Sequence, residues 1–418
     1  MKFASRLLAF SLLFINAGCG VGNPSATNTV VLDATAIATT NSTLPNSNSP
    51  TTAAPTTTGT SFAAATFTPI ADNFNTADGV QLAWGDGHLP SSMGSDPVGA
   101  FRMICGAGQL AYDDPLVYPG QPGKSHLHQF YGNLGVNANS TFSTIRTTGG
   151  STCGDPTASY AVNRSGYWMP AMLDGAGNVV KPVYVAIYYK RIPASDPRCT
   201  RSNPGSIGNC VGIPTGLRFI TGYNMQGGTT DVTAFFYCNG GTGTSSALKT
   251  NITDVIPNCP LGSGGNLTLN IGGPDCWDGV NLDSPDHRSH VSHSSYVWDP
   301  SLPNPNGGTG LSYQRCDDAH PYHIPQMTLI AFYTLDANFA ANKWHLSSDE
   351  MTPGTIPGST FHADYIEGWS PTVRDGWLKN CINAHLSCAG GELGDGTQIK
   401  GMTVPTANSQ VVPIPAML

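Results

Sequence analysis

The chain has 418 residues, of which only 11% are charged, and its formal net charge is −8. The basic residues are few and scattered, which argues against nucleic-acid binding. The 39% hydrophobic content is enough for one large domain or two smaller ones, and the 49 glycines and 32 prolines predict a body rich in turns.

The first 18 residues are typical of a secretory signal peptide. A short basic start precedes an apolar run from Leu7 to Ile15, which is too short to span a bilayer. Cys19 directly follows two small residues, a pattern that favours a bacterial lipoprotein in which this cysteine is acylated. Plain secretion after ordinary cleavage is the alternative. We therefore expect an exported protein, anchored by lipid to the outer membrane or cell surface, with no other membrane contact.

Residues 19–65 differ in composition from the rest of the chain. They are mainly Thr, Ser, Pro, Ala and Asn with almost no charge, and such a segment buries too little apolar surface to fold. We expect a disordered tether that spans roughly 35–40 Å on average. Residues 66–395 are expected to form a single folded domain, and residues 396–418 a C-terminal extension.

The folded body shows strand patterns much more often than helix patterns. β-branched and aromatic residues separated by turn residues predict strands at Pro182–Lys190, Leu217–Thr221, Val232–Tyr237, Leu267–Ile271 and Met327–Leu335. One helix is predicted from the N-terminal signal Ser370-Pro371 and the helical spacing that follows it. This pattern predicts an all-β fold, like a β-sandwich or jelly roll, with one or two minor helices.

The cysteines indicate a disulfide-rich domain. Without Cys19, ten of the eleven cysteines remain, and an even set in an exported chain predicts disulfides. Cys199 and Cys210, and likewise Cys381 and Cys388, are close enough in sequence to pair locally. The other six could pair in several ways, and the sequence does not choose among them.

Eight of the eleven histidines fall in four short polar segments: His126–His128, His287–His293, His320–His323 and His362–Asp364. Histidine titrates near neutral pH and is the commonest metal ligand, so this clustering suggests a reactive site. If His126 and His128 lie on a strand, their side chains share one face, and the same holds for His362 and Asp364. The alternative is that these histidines are structural and hydrogen-bond the loops.

The order of several motifs resembles a secreted family, the domain of unknown function numbered nineteen-ninety-six, found in bacteria and in fungal proteins that carry WSC modules. The matching stretches are Phe101-Arg102, Asp114-Pro115 to Pro119-Gly120, His126-Leu127-His128 with Tyr131-Gly132, Tyr167-Trp168-Met169-Pro170, Pro274 to Gly279, Asp283 to His290, His320-Pro321 with Pro325, and His362-Ala363-Asp364 with Gly368-Trp369. Gly273, Asp317 and His293 depart from the family pattern. The resemblance implies an exported, disulfide-bonded domain and no established reaction.

The candidate catalytic residues are His126, His128, His287, His290, His320, His362 and Asp364. Three of these, His126, His128 and His362, are also candidate ligands of a divalent metal, with an open position that would activate water. The candidate substrate-binding residues are Lys124, Trp168, Trp277, Asp278, Arg288 and Trp369. The tryptophans are candidates because aromatic faces pack against sugars, and core packing is their alternative role. Lys124 and Arg288 could neutralise a uronate or another anion.

Two functions fit these residues. One is an extracellular hydrolase or lyase that acts on polysaccharide or cell-wall polymer through His/Asp acid–base chemistry, with a divalent metal as a possible cofactor. The other is a non-catalytic surface module that binds glycan or wall polymer and uses its histidines to support loops. The sequence shows no serine nucleophile elbow, phosphate loop, HExxH motif or Rossmann fingerprint.

Overall fold

The computed structural model describes residues 69–417, apart from residues 158, 229–232, 241–247, 305–306, 404 and 406–407. The expected signal peptide, Cys19 and the tether lie outside the described residues. Within the described part of the chain, no helix has both the length and the apolar character needed to cross a bilayer.

Short β-strands make up most of the regular structure. In chain order the described strands are β1 (Val80–Leu82), β2 (Gly99–Cys105), β3 (Leu110–Ala111), β4 (His128–Gly132), β5 (Gly166–Pro170), β6 (Met172–Leu173), β7 (Asn178–Lys181), β8 (Tyr184–Arg191), β9 (Asn209–Cys210), β10 (Arg218–Gly222), β11 (Ala234–Gly240), β12 (Gly265–Gly272), β13 (Cys276–Trp277), β14 (Val291–Ser292), β15 (Ser295–Pro303), β16 (Thr309–Arg315), β17 (Tyr322–His323), β18 (Gln326–Thr334), β19 (His345–Leu346), β20 (His362–Ile366), β21 (Ser387–Cys388), β22 (Thr397–Ile399) and β23 (Gln410–Pro413).

Helices are few and short. They are α1 (Phe142–Thr147), α2 (Ala337–Ala340) and α3 (Pro371–Trp377), and α3 continues into a π-helical turn at Leu378–Ile382. Single 3-10 turns lie at Thr76–Gly79, Ala83–Gly85, Pro197–Cys199, Ile256–Asn258 and Asp349–Met351. The predicted helix therefore begins at its proline as expected, and the prediction of an all-β fold with minor helices is confirmed.

Two sheets pack face to face around the main core. One has six strands in the order β11-β12-β18-β8-β2-β21, and the other has five in the order β10-β20-β5-β4-β3. Tyrosines from both sheets meet in the core between them, where the hydroxyl oxygens of Tyr167 on β5 and Tyr189 on β8 are 2.7 Å apart. Side chains of β-branched and aromatic residues fill this space, so the sheets form the expected sandwich.

The five-stranded sheet is buried on both faces, and its two faces differ in chemistry. On β20, Ala363 and Tyr365 point into the main core, while His362 and Asp364 alternate with them and point to the other face. Trp168 lies on this second face, directly across the strand pair from Asp364. The second face is covered by loops and by a small apolar cluster rather than by another large sheet.

Smaller sheets and disulfides fasten the loops that surround the sandwich. Strand order is β14-β13-β17-β9 in one small sheet and β19-β6-β7-β23 in another, while β15 pairs with β16 and β1 with β22. Strands β22 and β23 therefore pair residues of the expected C-terminal extension with the folded body. The five disulfides are Cys105–Cys153, Cys199–Cys210, Cys238–Cys259, Cys276–Cys316 and Cys381–Cys388. Both local pairings expected from the sequence are among them.

Candidate metal centre

Three histidines from distant parts of the chain meet on the second face of the five-stranded sheet. Each of His126, His128 and His362 offers one ring nitrogen, and these nitrogens all lie within 4.8 Å of one another. The ring centroids of His126 and His128 are 4.1 Å apart, and those of His126 and His362 are 5.1 Å apart. Strands β4 and β20 flank β5 in the sheet, which brings the two sequence segments together.

Backbone carbonyls fix the orientation of two of these rings. The Nδ1 of His128 is 3.0 Å from the carbonyl oxygen of Asp113, and the Nδ1 of His362 is 2.9 Å from that of Thr360. A carbonyl oxygen can only accept, so in each ring Nδ1 carries the proton and Nε2 keeps its lone pair. Metal-binding histidines are usually held this way, by donation from the second nitrogen.

Burial keeps the three imidazoles neutral. Desolvation, reinforced by the neighbouring His362, lowers the pKa of His128 to about 3. Desolvation also lowers the pKa of His362 to about 4, and it lowers the pKa of His126 well below its usual value. Part of the His126 residue is exposed, but its Nε2 is buried. All three side chains are therefore lone-pair donors at neutral pH.

A buried carboxyl group adjoins this cluster. Asp364 is 1% exposed, and neither of its carboxyl oxygens has a hydrogen-bond partner within the described residues. Burial, and secondarily the nearby Asp114, raises the pKa of Asp364 well above its usual value. Burial likewise raises the pKa of Asp114, although backbone N–H groups and the Trp168 indole oppose this. A buried polar group without a partner is costly, which is why such a group commonly marks a ligand position.

His287 forms a second arrangement at the edge of the same sheet. Its Nδ1 lies 2.7 Å from Oδ1 of Asp283, whose other oxygen is 3.2 Å from Nε of Arg218. The carbonyl oxygen of His287 accepts a hydrogen bond from the backbone N–H of Ile220, and Ile220 is paired with Asp364 in the sheet. The backbone of His287 therefore lies about two strand spacings, roughly 10 Å, from the backbone of Asp364.

His287 has a raised pKa and an unusual backbone conformation. The hydrogen bond that the His287 ring donates to Asp283 raises the pKa of His287, and the Coulomb field of Asp114 adds to the effect. Its φ of 56° lies in the left-handed region, which non-glycine residues adopt only at a cost. The next residue, Arg288, donates to the carbonyl oxygens of Gly222 and Tyr223, and its charge reaches both His362 and Asp364.

His290 and His320, also predicted as catalytic, do not join the cluster. His290 places one ring nitrogen 2.8 Å from the Ser284 hydroxyl and the other 2.8 Å from the Arg218 carbonyl. In His320, Nδ1 faces Asp317 and Nε2 is 3.0 Å from the Ser289 carbonyl. Because protein groups occupy both nitrogens in each ring, these two histidines hold the 283–290 loop in place.

The predicted substrate-binding residues are spread over several environments. Trp277 and Trp369 belong to the main core, so neither offers a ring face to a substrate. Trp168 is equally buried and stacks on Phe130 with a 5.5 Å centroid distance. It therefore packs beside Asp114 and offers no ring face to a substrate. Asp278 caps a turn by accepting from Val280 and Asn281. Lys124 is exposed, two residues before His126. Of the two predicted cations, Arg288 is the one whose charge lowers the pKa of a clustered histidine, His362.

Two residues that hold the clustered histidines in position were not predicted from the sequence. The carboxylate of Asp349 is buried and accepts from the backbone N–H groups of Leu346, Gly358 and Thr360 and from the Thr360 hydroxyl. It thereby fixes the residue whose carbonyl holds His362. Asp113 ties Gly123 and Ala138 with its side chain while its carbonyl holds His128. Only the position of Asp113 beside the Asp114-Pro115 motif could have drawn attention to it.

The family follows from comparison with known proteins. The model of the domain of unknown function DUF1996 matches residues 114–369, which is more than half of the chain. The chain therefore belongs to the DUF1996 family, as the motifs indicated. The match begins beside Asp113 and includes all three clustered histidines. No curated protein and no solved structure gives a significant match.

Proposed function

We propose that this chain is an exported, metal-dependent hydrolase that acts on polysaccharide or cell-wall polymer. The observation that carries the proposal is the convergence of three neutral imidazoles within 4.8 Å, two of them oriented by backbone carbonyls. Three histidines with an open fourth position are the donor set of a catalytic zinc site, and the same set also accepts copper or cobalt.

The residues fit such an ion without rearrangement of their hydrogen bonds. His128 and His362 present Nε2 because Nδ1 is already used, and the buried Nε2 of His126 has no partner among the described residues. A divalent ion at their common point would satisfy the Nε2 atoms of His126 and His128, which are buried and have no partner among the described residues. When bound, it would supply an activated water molecule and polarise a carbonyl oxygen.

The neighbouring groups would handle the substrate and its protons. Asp364 is adjacent to His362 on the sheet face, and its unpartnered oxygens can exchange a hydrogen bond with the attacking water. His287, oriented by Asp283, is the candidate that returns a proton to the leaving group. Arg288 places a positive charge beside both His362 and Asp364, where negative charge would develop on the substrate.

This donor set favours acyl bonds over glycosidic bonds. In acyl hydrolysis, the water oxygen forms a bond to the carbonyl carbon, the ester or amide bond breaks, and the alcohol or amine leaves with a proton. A polarised carbonyl and an activated water are what this reaction needs, whereas most glycosidases rely on two carboxyl groups that flank the glycosidic bond. We therefore propose ester or amide substituents of an extracellular polymer as the substrate.

The polymer and the location are supported by the sequence. The signal-like N-terminus, the Cys19 pattern and the Thr/Ser-rich tether suit a lipid-anchored protein of the cell envelope, and the five disulfides suit an oxidising compartment. An enzyme held at that surface by a tether meets wall polymer before any other abundant substrate.

Metal analysis of the full chain, purified without chelator, is the first test. We expect about one equivalent of a transition metal per chain, lost in His128→Ala and His362→Ala but retained in His345→Ala, which removes a histidine outside the cluster. The metal-loaded chain should release acetate, amine or acid from acylated wall polymers, and the two ligand variants should not. Folded wild-type protein that takes up no zinc, copper or cobalt would contradict the proposal. Unsaturated sugars without acyl release would indicate a lyase instead.

A further inference from the structure

The β15–β16 hairpin has two faces of different exposure. On its outer face, Tyr296 and Trp298 are 65% and 63% exposed, and the paired residues Gln314 and Ser312 lie beside them. On the inner face, alternate residues such as Val297, Leu311 and Tyr313 are half-buried. The two most exposed aromatic side chains of the described residues therefore lie together on the solvent side of one hairpin.

The tryptophan ring lies close to the backbone of the opposite strand. Gly310 is buried with φ +99°, and any side chain at this position would collide with the Trp298 ring. Glycine on a strand often marks a close approach of this kind. Because an edge of the ring lies against the backbone of β16, the position of the ring is constrained while most of the side chain stays exposed.

The chemistry of this face selects among possible occupants. The backbone positions of the two aromatic residues are about 7 Å apart along the strand, and each lies across from a polar residue, Gln314 or Ser312. These four side chains carry no formal charge, although the chain as a whole has a net charge of −8. Apolar ring faces flanked by hydrogen-bonding groups match a neutral sugar chain, which alternates C–H faces and hydroxyls. A largely apolar protein partner would leave Gln314 and Ser312 unpaired.

The hairpin also adjoins the loop beside the metal centre. Its first strand begins five residues after His290, its second ends one residue before Cys316, and the Cys276–Cys316 disulfide closes the base. A polymer bound to the hairpin would therefore be connected to the metal centre by the loop that carries His287 and Arg288. We infer that Tyr296 and Trp298 form a binding platform for neutral polysaccharide, separate from the metal ligands.

Depletion binding to insoluble polymers tests this platform. The full chain should bind at least one of cellulose, chitin and β-1,3-glucan, in the presence of EDTA as well as without it. Tyr296→Ala and Trp298→Ala should each weaken binding about threefold to tenfold, and Trp298→Phe should retain most of it. Trp84→Ala, which removes another exposed tryptophan, should have no effect.

The outcomes distinguish this inference from the proposed hydrolase. Binding that survives EDTA and His128→Ala supports the platform even if no hydrolysis is found. No binding to any of the three polymers, or unchanged binding by both alanine variants, would overturn it. Sedimentation velocity adds a further outcome: a dimer of the full chain that Trp298→Ala dissociates would assign this face to self-association and also overturn the inference.

Discussion

We expect the free energy of unfolding of the metal-free protein to fall steeply in mild acid. The pKa of His128 shows how large this fall should be. In the unfolded chain its imidazole titrates near 6.5, whereas in the folded chain burial lowers its pKa to about 3. Between these values the unfolded state binds a proton that the folded state does not. Stability is therefore fully present above about pH 6.5 and is lost as the pH falls.

The size of the effect follows from the pKa difference. Each pH unit within this window costs about 1.4 kcal/mol per group, so lowering the pH from 7 to 5 costs about 2 kcal/mol through His128 alone. His362, with a pKa of about 4, contributes about the same over this range. Together the two groups should remove about 4 kcal/mol from the free energy of unfolding.

Guanidinium denaturation in EDTA at pH 7 and pH 5 measures this loss. The wild-type loss includes every other titrating group, so the informative quantity is the difference between wild type and variants. His128→Gln should reduce the loss by about 2 kcal/mol. An equal loss in wild type and His128→Gln would refute the argument, since it would mean that this imidazole is not buried in its neutral form.

Three further perturbations test the surroundings of the site. Asp349→Asn should lower the free energy of unfolding by about 2–4 kcal/mol and weaken metal binding, because buried donors lose a charged acceptor. The N-cap variant Asp336→Asn should change stability little, since asparagine caps helices as well as aspartate does, and it should leave metal affinity unchanged in calorimetric titration. Replacing Cys276 and Cys316 together by serine should cost about 2–4 kcal/mol in denaturation, since this disulfide closes a 40-residue separation. Asparagine tolerates the left-handed backbone at position 287, so the melting temperature of His287→Asn should stay near that of wild type. Its turnover should fall at least tenfold, and unchanged turnover would exclude His287 from proton transfer.

The central strands of the six-stranded sheet were predictable from the sequence. The predicted strands at Pro182–Lys190, Leu267–Ile271 and Met327–Leu335 correspond to β8, β12 and β18, which are adjacent in the six-stranded sheet. Their runs of β-branched and aromatic residues reflect close contact with the main core. The predicted helix that starts at Ser370-Pro371 is short, because α3 ends at Trp377 and only a π-helical turn continues it to Ile382.

The strands that carry the site gave a weaker signal. β4, β5 and β20 are buried on both faces and mix polar with apolar residues, so neither strand alternation nor a continuous apolar run marks them. The assumption that His362 and Asp364 share a strand face is nevertheless confirmed by β20. What the sequence could not provide is the pairing of β4 and β20 on either side of β5, because strand order depends on long-range packing.

The polar contacts within the site were the least predictable part. The carbonyl oxygens of Asp113 and Thr360 hold two histidine rings, and a backbone carbonyl has no sequence signature. The same limit explains why His290 and His320 were grouped with the reactive histidines. Their residue type fits catalysis, and only the structure shows that backbone and hydroxyl partners already occupy their rings.

The long separation between the ligands has a consequence for biogenesis. His128 and His362 are 234 residues apart in the sequence, so of the three clustered histidines only the local pair at 126 and 128 is close together in a nascent or unfolded chain. The third nitrogen arrives when β20 joins β5, an event that needs most of the polypeptide to be present. Under the proposed function, tight capture of the ion would thus report completed folding, and a truncated or misregistered chain would lack the third ligand.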